Sequence, residues 1–268
     1  MVQDHRIELS GRPARYLEAG AGWPLVLLHA FPLSADMWRP QLDRVPPGWR
    51  LIAPDLRGFG ASALPPDESP TLDDYASDVV TLLDHLELER AVIGGLSMGG
   101  YVTFALLRIA PERFSGVVLA NTRPQADTPE GKESRRAMSE LVRSKGPGAV
   151  ADKMLPNLLG QTTRRSRPEV ERDVRRLIVA NRVEAIDGAI HAMLERPDST
   201  TGLGRITIPT LVTAGEEDVL IPPREAEALR DAIPRSQLVL LPGVGHLANM
   251  EAPADFSEAL QNFLLSNL

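Results

Sequence analysis

A serine between two glycines carries the strongest chemical signal in this sequence. Ser97 is the centre of Gly95-Leu96-Ser97-Met98-Gly99, which follows an apolar run at residues 91–93 and directly precedes a helical pattern. At a sharp turn from strand to helix, a serine hydroxyl stands exposed above the end of the sheet, and the two glycines let strand and helix approach closely. The motif predicts a nucleophilic serine; the alternative is a serine that only caps the helix.

A nucleophilic serine needs a base to accept its proton, and histidine is the usual base. His246 follows Pro242-Gly243-Val244-Gly245, in a loop between the last predicted strand and the last predicted helix. Such a loop reaches the carboxyl edge of a parallel sheet, where ligands and catalytic groups gather. We therefore predict that His246 is the base. The other histidines occupy positions typical of structural or solvent-exposed roles: His5, His29, His85 and His191.

The base in turn needs a buried carboxylate that orients its ring and stabilises its protonated form. Three acids, Glu216, Glu217 and Asp218, directly follow a predicted strand at residues 209–214. We select Asp218 because only it adjoins the following apolar run, which we expect to turn back toward the core. Two alternatives stay open: Asp127, which follows the preceding strand, or a solvated role for all three acids.

Hydrophobic patterns predict the elements that must position these residues. Short apolar runs alternate with helical patterns, which is typical of a parallel sheet covered by helices. Between residues 122 and 204 only helical patterns occur. We predict an α/β fold with a mostly parallel open sheet, helices on both faces and an inserted helical cap at residues 122–204, which divides the core into residues 1–121 and 205–268. The predicted strands are residues 6–9, 14–18, 24–29, 51–54, 91–94, 116–120, 209–214 and 237–241, and the predicted helices outside the cap are residues 71–85, 98–109 and 254–264.

Several motifs in a fixed order together resemble the α/β-hydrolase family over nearly the whole chain. Within the family, the chain looks like the small-capped esterases, enol-lactonases and cofactor-free haloperoxidases (perhydrolases). The resemblance implies hydrolysis of a carboxylic ester or lactone through an acyl-enzyme, with Ser97, His246 and Asp218 as a triad. It leaves two alternatives, a perhydrolase and a signalling receptor that binds a small molecule on the same fold. The motifs are His29-Ala30-Phe31-Pro32, Asp55-Leu56-Arg57-Gly58-Phe59-Gly60, Gly94-Gly95-Leu96-Ser97-Met98-Gly99-Gly100, Gly215-Glu216-Glu217-Asp218 and Gly245-His246.

The same resemblance implies how substrate would be held. Backbone N–H groups of Phe31 and Met98 would form an oxyanion hole that stabilises the developing negative charge. The loop that carries Phe31 must turn sharply, and we predict that a cis Phe31–Pro32 bond makes that turn. Apolar cap residues would complete the substrate pocket, and a plain core position is the alternative for Trp38. The implied substrate-binding side chains are Phe31, Leu33, Trp38, Met98 and Leu247.

Composition and charge limit the partners and groups that the chain can hold. The 268 residues carry a net charge of −7 and include no cysteine. The negative charge argues against nucleic acid and acidic membrane surfaces, and the lack of cysteine excludes disulfides and thiolate metal sites. No stretch nears the ~20 apolar residues of a membrane span, and the N-terminus lacks a signal-peptide pattern. We expect a cytoplasmic protein without cofactor or metal that acts on a small-molecule ester or lactone, its oligomeric state left open.

An arginine-rich stretch lies in the predicted cap. Interleaved acids such as Glu169, Glu171 and Asp173 favour a solvated helix face. The alternative is that one of these arginines binds an acidic substrate. The stretch comprises Arg164, Arg165, Arg167, Arg172, Arg175 and Arg176.

Overall fold

An eight-stranded sheet forms the centre of the protein in the computed structural model, which describes residues 1–65 and 69–268. The strands are β1 (Gln3–Leu9), β2 (Arg12–Gly20), β3 (Trp23–Leu28), β4 (Trp49–Pro54), β5 (Ala91–Leu96), β6 (Phe114–Ala120), β7 (Thr210–Gly215) and β8 (Ser236–Leu241). They lie in the order β1-β2-β4-β3-β5-β6-β7-β8. β2 pairs antiparallel with β1 and β4, and the other neighbours are parallel. The predicted mostly parallel α/β sheet is confirmed.

Helices connect the strands and pack on the sheet. Outside the block between β6 and β7 they are α1 (Arg39–Leu42), α2 (Leu72–His85), α3 (Met98–Ile109), α8 (Pro223–Ala232), α9 (Ala248–Glu251) and α10 (Pro253–Asn267). α3 packs on β5, β3 and α2, whereas α8 packs on β7 and β8. β3, β5 and β7 are almost wholly buried, which agrees with their continuous apolar sequences.

The start of α2 shows how local sequence defines an element. Thr71 precedes the helix, and its hydroxyl accepts a hydrogen bond from the Asp74 backbone N–H, while the Asp74 carboxylate accepts one from the Thr71 N–H. This reciprocal arrangement satisfies two N–H groups that a helix terminus otherwise leaves free. Leu72, Tyr75 and Val79 then lie on the buried face. The helix therefore begins where the periodicity predicts it.

Four helices, α4 (Pro129–Leu158), α5 (Gln161–Ser166), α6 (Pro168–Val179) and α7 (Val183–Leu194), follow β6, and a short 3-10 helix (Thr200–Arg205) leads toward β7. No strand lies in this block, and the structure describes all of its residues. α4 changes direction at Gly146, which has φ 76°, and Pro147 starts its second half, since proline is tolerated in the first turn of a helix. The helical character agrees with the sequence pattern; the division into core and cap stays a prediction.

Two predictions of local structure need correction. The second strand, predicted to begin at residue 14, begins at Arg12, because Arg12 and Pro13 already pair with β1. Ser10 and Gly11 alone form the turn between the two strands, with φ values of 50° and 77°. α8 has no counterpart in the sequence prediction. Only Ala226 and Leu229 are buried along this helix, so its apolar periodicity is weak.

The helices were compared with the length and hydrophobicity that a membrane span requires. Within residues 1–65 and 69–268, none has both the length and the hydrophobicity of a membrane-spanning segment.

Candidate active site

The turn between β5 and α3 places Ser97 at the carboxyl edge of the sheet. Ser97 is the single residue between the two elements. Its backbone has φ 55° and ψ −112°, a conformation that residues other than glycine rarely adopt. A Cβ on Gly95 would lie 2.1 Å from the Gly99 carbonyl oxygen, and one on Gly99 would lie 2.3 Å from the Leu28 carbonyl oxygen. Glycine is therefore required on both sides of this serine, for the reason that the sequence suggests.

The loop between β8 and α9 brings His246 to Asp218. The His246 Nδ1 and the Asp218 Oδ2 are 2.7 Å apart, and both side chains are buried. Because an ionised carboxylate only accepts hydrogen bonds, Nδ1 carries the proton, and Nε2 is the nitrogen left to act as a base. The structure thus brings together the predicted base and the predicted acid.

Asp218 is held in its ionised form by its surroundings. Its Oδ1 accepts hydrogen bonds from the Leu220 and Ile221 backbone N–H groups at 2.9 and 3.0 Å, and its Oδ2 accepts a third from the Asn121 side-chain amide at 2.9 Å. Burial raises the pKa of Asp218, but the nearby His246 and these hydrogen bonds lower it more, so its pKa lies below the ordinary value.

Ser97 and His246 line the same cavity, which has a volume of about 320 Å³. Within the described residues no hydrogen bond joins the Ser97 hydroxyl to His246, and such bonds are often long before substrate binds. The lining combines apolar side chains with charged and amide ones. The apolar residues are Phe31, Met138, Met154, Leu158, Ile190, Met193, Leu220 and Ile221, and the charged and amide residues include Arg123, Asp127, Arg135, Lys153 and Asn157.

The loop after β3 carries the backbone predicted for the oxyanion hole. Phe31 lies at the cavity, the Phe31–Pro32 bond is cis as predicted, and Leu33 N–H donates to the Ala30 carbonyl at 2.8 Å to close a turn. Within residues 1–65 and 69–268, the Phe31 N–H donates no hydrogen bond, nor does the Met98 N–H, which belongs to the first residue of α3. Both donors are therefore available to a substrate oxygen.

Four of the five predicted substrate-binding side chains do not reach the cavity. Of that set, only Phe31 lines it, and the other four are almost fully buried. Trp38 packs against Phe256 in the core, with ring centroids 5.8 Å apart. A side chain close in sequence to a cavity-lining residue can face either the cavity or the core. Packing against the rest of the protein decides which of the two it faces. The four core residues are Leu33, Trp38, Met98 and Leu247.

The rival acids have other partners. Glu216 is exposed, and Glu217 accepts hydrogen bonds from the Thr162 backbone N–H at 2.8 Å and its hydroxyl at 2.6 Å. The apolar run after Asp218 does not turn back toward the core at once, as the sequence analysis predicts, since Val219 and Leu220 are 65% and 39% exposed. Only Ile221, the last residue of that apolar run, is buried.

Asp127, the remaining rival, pairs with three arginines instead of a histidine. Arg196 contacts both carboxylate oxygens, with distances of 2.8 and 2.9 Å, Arg123 lies 3.0 Å away, and Arg135 also forms an ion pair with it. Burial raises the pKa of Asp127, but hydrogen bonds to Arg196 and Arg135 lower it far below the ordinary value. The arginine-rich stretch from Arg164 to Arg176 does not contribute to the lining of this cavity.

Two buried polar residues near His246 were missed by sequence reasoning. Asn121 directly follows β6, and its amide bridges Asp218 and the Gly245 carbonyl, the latter at 3.1 Å. Glu251, five residues after His246, accepts hydrogen bonds from the N–H groups of Gly245 at 3.1 Å and Leu247 at 3.0 Å. A polar residue at a strand end and an acid a few residues after the predicted base were the available signals.

His29 has a structural role at the start of the Phe31 loop. Its Nε2 accepts a hydrogen bond from the Leu56 backbone N–H at 3.1 Å, and its Nδ1 contacts the Ala30 carbonyl at 3.0 Å. Complete burial lowers the pKa of His29, which keeps the ring neutral. This agrees with the structural interpretation of that residue. Among the described residues, no cluster of three or more histidine or acidic side chains is arranged to hold a metal ion.

Comparisons with known proteins show which family the chain resembles in sequence and fold. The model of the alpha/beta hydrolase fold matches residues 24–253. A thermophilic esterase from Thermogutta terrifontis, solved with malate bound, has a TM-score of 0.91 and 40% identity over 98% of both chains. A 3-oxoadipate enol-lactonase from Acinetobacter baylyi is 29% identical over 88% of this chain and 86% of its own length. A putative non-heme chloroperoxidase from Synechocystis is 33% identical over 93% of this chain and 94% of its own length.

These matches extend over most of the sequence and include the strand-turn-helix that carries Ser97. The eight-stranded sheet has the architecture that the matched fold requires. The chain therefore belongs to the α/β-hydrolase family.

Proposed function

We propose that this protein is a serine hydrolase that cleaves carboxylic esters or lactones through an acyl-enzyme. One observation carries the proposal: Ser97 and His246 line one cavity, and Asp218 is hydrogen-bonded to the imidazole nitrogen that does not serve as the base. The esterase and enol-lactonase relatives support the same reaction class. The substrate is a small molecule that the cavity can enclose.

In the first half-reaction, the Ser97 Oγ attacks the carbonyl carbon while its proton passes to His246 Nε2. The carbonyl oxygen becomes negative and accepts hydrogen bonds from the Phe31 and Met98 N–H groups. The Asp218 carboxylate stabilises the protonated imidazole. The bond to the leaving oxygen then breaks, that oxygen takes the proton from His246, and the acyl group stays on Ser97.

In the second half-reaction, water replaces the leaving alcohol. His246 takes a proton from the water as its oxygen attacks the acyl carbon, and the same two N–H groups stabilise the negative oxygen. The bond to Ser97 breaks, and the serine oxygen recovers the proton. For an ester the products are an alcohol and an acid; for a lactone both groups remain on one molecule.

Labelling by an aryl phosphonate tests the nucleophile. We expect one phosphonate per wild-type chain, attached to Ser97, and none on Ser97→Ala, because the serine oxygen, as it loses its proton to the base, bonds to phosphorus and displaces the aryloxide. Ser77→Ala, which removes an exposed hydroxyl from α2, is the matched control and should label fully. Mass spectrometry of the intact protein gives the stoichiometry. Labelled Ser97→Ala would mean that another residue is the nucleophile.

A second candidate activity is perhydrolysis, favoured by the chloroperoxidase relative. Hydrogen peroxide would then replace water in the second half-reaction and release a peracid from the same acyl-enzyme. Phenyl esters of increasing acyl length, assayed with and without peroxide and halide, distinguish the two. We expect ester hydrolysis to dominate; halogenation that exceeds hydrolysis would favour the perhydrolase. Phosphonate labelling without turnover on any ester or lactone would favour a small-molecule receptor instead.

A further inference from the structure

Positive charge is concentrated around Asp127 in the cavity that contains Ser97. Arg123, Arg135 and Lys153 line this cavity, and Asp127 is the one acid among the described residues that line it. The protein as a whole carries a net charge of −7, so this local excess opposes the overall balance. The overall charge therefore does not account for the positive charge in this cavity.

Asp127 does not need three arginines. The Arg196 side chain is 2% exposed, and its two terminal nitrogens contact both oxygens of Asp127 at 2.8 and 2.9 Å, so this pair is already neutral and buried. The Arg196 guanidinium also lies 4.1 Å from the centre of the Tyr101 ring. Arg123 and Arg135 therefore add two positive charges for which the described lining offers no further carboxylate.

Both of these arginines line the cavity, and their side chains are 29% and 21% exposed. The Nε–H of Arg123 is buried without an acceptor among the described residues, and Nη1 of Arg135 contacts the Met193 sulfur at 3.3 Å. Elsewhere in the helical block, some arginines pair with a carboxylate of their own, as Arg176 does with Asp173 at 3.0 Å and Arg143 with Asp187 at 2.7 Å. At the cavity, by contrast, Arg123 and Arg135 share Asp127 with Arg196.

The backbone places Arg123 close to Ser97. The Thr122 hydroxyl donates to the Ser97 carbonyl at 2.9 Å, and Arg123 is the next residue. A group held by Arg123 therefore lies in the same small cavity as the bond to be cleaved. The planar, permanently charged guanidinium fits the two oxygens of a carboxylate.

We propose that Arg123 and Arg135 bind an ionised carboxylate of the substrate, so that the preferred substrates are esters or lactones that carry a second, free carboxylate. This inference rests on the proposed function. Met138, Met154 and Met193 of the lining then contact the hydrocarbon part of the substrate. Asp127, itself fixed by Arg196, holds the two arginines in place.

Matched pairs of esters test this selectivity. Monophenyl adipate against phenyl hexanoate places the charge on the acyl side, and 4-acetoxybenzoate against 4-methylphenyl acetate places it on the alcohol side. We expect the charged member of at least one pair to have the higher kcat/KM. In Arg123→Gln and Arg135→Gln, we expect the charged-to-neutral ratio of kcat/KM to fall at least about tenfold, the effect of losing a charge-assisted hydrogen bond.

Arg176→Gln, which removes an exposed arginine outside the cavity, is the control and should leave the ratio unchanged. A ratio that is unaffected in both cavity variants overturns the carboxylate site, while turnover of the neutral esters keeps the proposed function. If no ester is hydrolysed and Ser97 is not labelled, the proposed function fails. Calorimetric titration with adipate and with adipamide then tests the site directly, and equal binding of the two, or adipate binding that Arg123→Gln does not weaken, overturns it.

Discussion

Asp218 is the one acid of three neighbours whose carboxylate turns into the protein. Its oxygens accept hydrogen bonds from His246, Asn121 and two backbone N–H groups, whereas Glu216 faces solvent. A carboxylate with so many donors stays ionised, and its fixed position sets the proton of His246 on Nδ1. The electrostatic role proposed for Asp218 therefore depends on burial and on its donors together.

Asp218→Asn tests this role at the residue scale. The amide keeps the size of the side chain but can donate a hydrogen bond to Nδ1, which places the imidazole proton on the wrong nitrogen. We expect kcat for a phenyl ester to fall by about four orders of magnitude. Glu217→Gln is the matched control, because its carboxylate bonds to Thr162, and should retain activity. An active Asp218→Asn together with an inactive Asp127→Asn would move the assignment to Asp127.

At the scale of elements, α9 connects the His246 loop to the end of α4. The Glu251 carboxylate is 1% exposed and accepts hydrogen bonds from Gly245 and Leu247, on both sides of His246, and from Gly160 just beyond α4. The His246 N–H in turn donates to the Leu158 carbonyl at 3.2 Å. One side chain thus positions a loop and a helix that are distant in sequence.

Glu251→Gln is expected to disturb this connection. The amide nitrogen of glutamine would face a backbone N–H that needs an acceptor, and one buried donor left unsatisfied costs roughly 1–3 kcal/mol. We expect a lower free energy of unfolding in urea and a kcat reduced by about tenfold at temperatures where the variant stays folded. Glu258→Gln, on the exposed face of α10, should change neither. A variant that is destabilised with unchanged kcat would limit Glu251 to a purely structural role.

At the scale of the whole molecule, buried polar contacts join the helical block to neighbouring loops and also link its own parts. Asn181, between α6 and α7, donates to the Pro32 carbonyl at 2.8 Å and accepts from the Gly60 N–H at 2.9 Å, in the loops after β3 and β4. Arg196 and Asp127 form a buried ion pair inside the block. Stability therefore depends partly on charges that acid can neutralise.

The stability of the whole protein is expected to fall in acid. The pKa of Asp127 is far below that of the unfolded chain, so its contribution is present above about pH 4, the ordinary carboxyl value. It is lost progressively as the pH falls further, because the unfolded chain then binds a proton that the folded protein resists. Urea unfolding between pH 7 and 3 should show this slope, and Asp127→Asn should be less stable at pH 7 with a shallower slope. An unaltered slope in the variant would contradict the assignment.

The sequence by itself determined the elements and the sharp turn at Ser97, because these depend on local periodicity, turn residues and the glycines that a close backbone approach requires. α8 was not predicted for the same reason, because a helix with few buried positions has a weak local periodicity. Only the tertiary structure decided which side chains face the cavity. Leu33 and Trp38 are buried in the core, whereas Arg123 and Arg135 contact Asp127 and line the cavity. That choice follows from packing and charge pairing between segments distant in sequence, which no local pattern encodes.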